Sequence, residues 1–111
     1  MAEAFTNSGV KLTSTGVTTI YQAPAAAGAR AVVLSSLAAN ASGVSSVNYS
    51  VDLTDSADAV VATIAKTIAV PANATLELIP NKIVLSSGQK LRAASSVASG
   101  IHVVTSVLEI T

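Results

Sequence analysis

Turn signals divide this chain so often that the segments between them are strand-sized. Thr13-Ser14-Thr15-Gly16, Asn40-Ala41-Ser42-Gly43, Asp55-Ser56-Ala57-Asp58, Pro71-Ala72-Asn73-Ala74, Pro80-Asn81 and Ser86-Ser87-Gly88-Gln89 each carry turn chemistry. The spacing of such signals, roughly 8–12 residues, is that of an antiparallel sandwich or barrel. The intervening residues agree. From Val44 to Thr54, Val47, Tyr49, Val51 and Leu53 alternate with Asn48, Ser50, Asp52 and Thr54, the period of a strand with one buried face.

Further strands are expected at Gly9–Leu12, Val17–Gln22, Ala29–Asn40, Ala59–Val70 and Ile101–Thr111. Alanines make Ala29–Asn40 a possible helix. Its neighbours are strands, however, and Ser35-Ser36 weakens a helix, so strand is preferred. Thr75 to Arg92 reads as three short extended pieces joined by corners at Pro80-Asn81 and at Ser86–Gln89, where Gly88 is free to take positive φ. That stretch predicts an antiparallel meander. The expected fold class is all-β: a single antiparallel β-sandwich or jelly-roll-like barrel of about eight strands. Residues 1–8 are expected to be an N-terminal arm, ordered only if a neighbour or the domain's own edge holds it. Residues 9–111 form the domain.

The hydrophobic fraction of 50% is mostly Ala and Val, and aromatic residues are only 3%. A core of small side chains buries little area per residue, at about 25 cal/mol per Å², and small domains often meet that shortage by oligomerising. Charged residues are 11%, six basic and six acidic, against an average of about 25%. A surface so poor in charge tends to associate, and it lacks the basic stripe a nucleic-acid binder needs. No run of about 18 apolar residues is present to span a membrane. The first residues lack the basic and apolar regions of a signal peptide. Without cysteine there is no disulfide framework and no thiolate metal site.

No catalytic constellation emerges, and an enzyme is not expected. The single histidine, His102, reads as a surface or interface residue. Asp52, Asp55 and Asp58 have the spacing of a poor calcium loop but lack its dense oxygen ligands and central glycine, so turn capping explains them better. The six glycines stand singly at turns, with no phosphate-binding loop. Asn40-Ala41-Ser42, Asn48-Tyr49-Ser50 and Asn73-Ala74-Thr75 match the glycosylation sequon, as a Ser/Thr-rich chain will by chance. No cofactor is implied. The positive signal is the Ala/Val/Ser surface, which points to protein contacts.

The order of segments carries a resemblance. Ala31-Val32-Val33-Leu34-Ser35-Ser36-Leu37-Ala38-Ala39-Asn40 follows a Pro-Ala turn. Val51-Asp52-Leu53-Thr54-Asp55, Ile64-Ala65-Lys66, Val70-Pro71-Ala72 and Thr75-Leu76-Glu77-Leu78 come next. Lys82-Ile83-Val84-Leu85, Gly88-Gln89-Lys90-Leu91-Arg92 and Leu108-Glu109-Ile110 complete it. This succession, over roughly residues 17–111, resembles small all-β virion structural proteins of tailed bacteriophages, especially those of marine and freshwater bacteria. The motifs are ordinary strand and turn chemistry, so the specificity lies in their order. The resemblance implies assembly into the particle after synthesis in the host cytoplasm. The partners would be the major capsid protein or other virion proteins, with no nucleic acid or membrane. A capsid decoration (cement) subunit is the leading expectation, as a homo-oligomer with a trimer favoured. A neck, tail, baseplate or fibre subunit is the alternative, and a carbohydrate-binding β-sandwich a remote one. Contacts are expected on Phe5 in the arm and on the turn residues Pro24, Pro71, Asn81 and Gln89.

Overall fold

The computed structural model describes residues 3–43, 45–77, 79 and 82–111. Among them are nine strands: β1 (Glu3–Lys11), β2 (Thr18–Gln22), β3 (Arg30–Asn40), β4 (Val47–Thr54), β5 (Val60–Val70), β6 (Thr75–Glu77), β7 (Ile83–Ser86), β8 (Lys90–Ser95) and β9 (Ile101–Ile110). They form two antiparallel sheets facing each other. One runs β1-β9-β3, with β6 and β7 both on the far edge of β3. The other runs β2-β8-β4-β5. The all-β sandwich expected from turn spacing is the fold observed.

The alanine-bearing segment 29–40 is a strand because both of its edges are used. β3 pairs with β9 from Arg30↔Ile110 to Asn40↔Ile101, with a bulge between Val33 and Ser35. On the other edge it pairs with β7 and β6. A helix there would forfeit two ladders. Alternation along β4 is as expected from Val47 to Val51, with Val47, Tyr49 and Val51 buried. It breaks at the end of the strand, where Thr54 is buried, Leu53 is only half-buried and the pairing with β5 shifts register. Residues 3–8 are held by the domain's own edge: β1 pairs with β9 without interruption from Glu3↔Ile110 to Lys11↔His102.

The meander expected at Thr75–Arg92 does not form. β6 and β7 lie end to end along β3, opposite Leu37–Ala39 and Arg30–Val33 respectively, and β8 belongs to the other sheet. Leu85 and Leu91, on either side of the Ser86–Gln89 turn, are both wholly buried. A turn that spans the sandwich lets each leucine enter the core from its own sheet. Between β6 and β7, the Glu77 carboxylate accepts hydrogen bonds from the Ser36 and Ile79 amides at 3.0 and 2.9 Å. That fixes the break against β3. The expected Pro80-Asn81 corner lies outside the described residues.

The core lies between the sheets. Leu12, Ile20, Tyr49, Leu85, Leu91 and Ile101 are its largest wholly buried members, and the remainder is mostly valine and alanine. The two tyrosines differ in their partners. The Tyr21 hydroxyl donates to Glu109 Oε2 at 2.6 Å, whereas the Tyr49 hydroxyl has no partner among the described residues. Burial pushes both phenols above their ordinary value, and for Tyr21 the hydrogen bond to Glu109 and that carboxylate's charge add to the effect. The unfolded chain therefore loses these protons near pH 10 while the folded chain keeps them. Stability is full below that pH and falls above it, by about 1.4 kcal/mol per pH unit for each tyrosine. In an alkaline titration followed by absorbance and circular dichroism, tyrosinate should form only together with unfolding. Tyrosinate appearing in a folded protein near pH 10 would contradict this.

Candidate interaction surfaces

Directly opposed residues of antiparallel strands share a face, so the registers define the two outer surfaces. On the β1-β9-β3-β7 side, Phe5, Leu108, Val32 and Val84 stand in one row across four strands. Phe5 is 78% exposed and Val84 58%. A second row holds Gly9, Val104, Leu37 and Glu77. Between them runs the polar row Asn7, Ser106 and Ser35. A shallow depression beside Gly9 is lined by Lys11, His102 and Val104. This face is mostly apolar in two rows and carries its charges at the margins, on Glu3, Lys11, Arg30 and Glu77.

The opposite outer face is hydroxyl-rich. Thr19, Arg92, Asp52 and Thr63 form one row across it. Asn48, Ser50, Thr67, Ala94 and Ser96 line a shallow groove. At one end, Lys90 Nζ donates to Asp58 at 2.7 Å and Arg92 lies 3.7 Å from the same carboxylate. The hydrogen bond from Lys90, helped by the Arg92 and Lys90 charges, holds the Asp58 carboxyl below the usual carboxylate range. Asp55 Oδ1 accepts from the amides of Ala57 and Ala59, at 2.8 and 3.0 Å. Asp55 and Asp58 thus serve separate partners, and no group of three metal-ligating side chains occurs among the described residues. His102 sits on the apolar outer face between Lys11 and Ala39.

The residues singled out for contacts fall in three places. Phe5 lies in the exposed apolar row. Pro24 and Gln89 meet at one end of the sandwich. There Ala23 N donates to Gln89 O at 2.8 Å and Gly88 N to Pro24 O at 3.1 Å, while Gln89 Oε1 accepts from Ser86 N. Pro71 lies beyond Val70, at the end of β5, where its carbonyl accepts from Ala74 N. Asn81 lies outside the described residues. Sequence reasoning did not find Leu108, Val32, Val84, Leu37 or Val104 as a surface. The available signal was that β3 and β9 are apolar at consecutive positions, as in Val32-Val33 and Val103-Val104, which alternation alone does not require.

No protein-family profile matches the chain, and no curated protein does. Among solved structures, a chain of the acidic stable capsid structure of Helicobacter pylori bacteriophage KHP30 shares the fold. The TM-score is 0.59 at 13% identity, covering 100% of this chain and 89% of that one.

Proposed function

We propose that this chain is a structural subunit of a bacteriophage virion, and within the particle a capsid decoration (cement) subunit. The observation that carries this reading is the end-to-end likeness to a chain of a phage capsid structure. The order in which the chain visits its sheets supports it: β1-β9-β3-β6/β7 facing β2-β8-β4-β5 fits a jelly-roll-like reading of the sandwich, an architecture used in viral capsids. The subunit works as a non-catalytic clamp. The apolar rows around Phe5, Val32, Val84, Leu37 and Val104 settle on major capsid subunits, and each site adds a contact worth about a few kcal/mol that favours the assembled shell. Repetition over the shell multiplies that effect.

Quantitative proteomics of purified particles, with native mass spectrometry of the isolated protein, tests this. A decoration subunit should appear in on the order of hundreds of copies per particle. About a dozen copies would move it to a neck, tail or baseplate ring, and absence from particles would end the virion reading.

A further inference from the structure

The four sheet margins are not equally protected against pairing with another chain. An open edge presents unpaired N–H and C=O groups, which proteins blunt with short strands, breaks and bulges. The β6/β7 edge is broken in two. β2 has five residues and a register shift between Thr19 and Tyr21. β5 is long, but its register shifts opposite Tyr49–Asp52 and Leu53/Thr54. Within it Thr67 takes φ 55° and donates its amide to Ser50 Oγ. β1 alone among these edges is long, continuous and free of register shifts.

The sequence of β1, Glu-Ala-Phe-Thr-Asn-Ser-Gly-Val-Lys, is complementary to itself when reversed about its centre. We propose that β1 pairs antiparallel with β1 of a second copy of this chain, centred on Asn7. In that register all nine residues of each strand are used. Glu3 faces Lys11 of the second copy at both ends, and Thr6 faces Ser8. Phe5 faces Gly9, and Asn7 faces Asn7. Opposite charges and hydroxyl pairs directly across an antiparallel ladder stabilise it. An aromatic ring across from an edge glycine covers backbone that the glycine leaves bare. The space is there: nothing lies within 4 Å of where a side chain on Gly9 would begin. Phe5, for its part, is largely exposed. Shifting the register by two residues separates both charge pairs and leaves strand ends unpaired.

The contact is isologous, so it yields a two-fold dimer in place of the trimer that the resemblance implies. Its axis runs through the sheet, so both apolar outer faces point the same way. Val84, Val32, Leu108 and Phe5 of one copy then run on into Gly9, Val104 and Leu37 of the other, one band across both subunits. A nine-residue ladder is smaller than a standard interface of about 1,600 Å², so a micromolar dimer is expected. The inference does not depend on where the subunit sits in a particle.

Sedimentation velocity or native mass spectrometry across the micromolar range tests it. Glu3→Lys alone, or Lys11→Glu alone, places like charges opposite each other twice per dimer and should weaken self-association about tenfold or more. Mixing the Glu3→Lys chain with the Lys11→Glu chain should restore a dimer made of one of each, because every charge then meets its opposite. Both residues are exposed, so folding, checked by circular dichroism, should be unaffected. A wild-type monomer throughout the range would overturn the proposal. So would association indifferent to the single reversals, or a mixture that stays monomeric.

Discussion

Replacing Tyr49 by alanine should destabilise the protein by about 4 kcal/mol, whereas replacing it by phenylalanine should cost nothing. Tyr49 is 1% exposed and is the largest wholly buried side chain. It sits mid-sandwich, opposite Ser95 on β8 and Ile68 on β5. Most of the side chains that share the core with it are valines and alanines, too short to close over the space an alanine would leave. The loss therefore combines the transfer term with a cavity term, and falls in the range for aromatic truncation. Phenylalanine keeps the ring and removes only a hydroxyl that has no partner among the described residues. Removing an unpaired buried polar group is neutral or stabilising by about 1 kcal/mol. Urea denaturation followed by far-ultraviolet circular dichroism separates the two. A phenylalanine variant weaker by more than about 1 kcal/mol would mean that the hydroxyl is satisfied in the folded protein. An alanine loss under about 2 kcal/mol would mean that the core collapses onto the gap.

Much of the fold was legible because strand periodicity and turn chemistry are local. The alternation through Val47–Val51 identified the buried face of β4, and Gly88 does adopt positive φ, at 77°. Asp58 and Asn73, both placed in turns by sequence, take φ of 70° and 61°, a region Asp and Asn tolerate better than most residues. What was illegible is non-local. Period tells which face a residue occupies but not which strand lies beside it. Leu76 and Leu85 carry the same apolar signal whether their segments form a hairpin or lie end to end on β3.

The candidate surface was hidden for a related reason. β3 and β9 are apolar at both parities, since their inner residues meet the core and several outer ones form the exposed rows. Phe5 alone announced itself, being the single phenylalanine in a polar stretch. Of the turn residues, Pro24 and Gln89 spend backbone or side-chain groups on closing the end of the sandwich. A turn residue's polarity does not reveal whether its hydrogen bonds point inward or toward a partner.

Asn40 illustrates the same limit and carries the second large expected effect. In the sequence it is one of three sequon asparagines. In the fold it is buried, at the end of β3. Its Nδ2 donates to Ser45 O and Val70 O, both at 2.9 Å, and its Oδ1 accepts from Ser42 N at 3.0 Å and Ser42 Oγ at 2.7 Å. One side chain thus joins the end of β3 in one sheet to the end of β5 in the other and shapes the loop between β3 and β4. Asn40→Ala leaves two carbonyls without their donor and should cost about 3 kcal/mol. Asn40→Asp keeps the shape but sets a carboxylate against those carbonyls, so at neutral pH it should be at least as damaging. Burial among acceptors raises that carboxyl's pKa in the folded state above its unfolded value near 3.9. The folded state then holds the proton more tightly, and part of the lost stability should return as the pH falls through the raised folded value. Thermal unfolding of both variants at neutral and mildly acidic pH checks this. If the aspartate variant gains nothing relative to wild type on acidification, the two carbonyls are not what Asn40 serves.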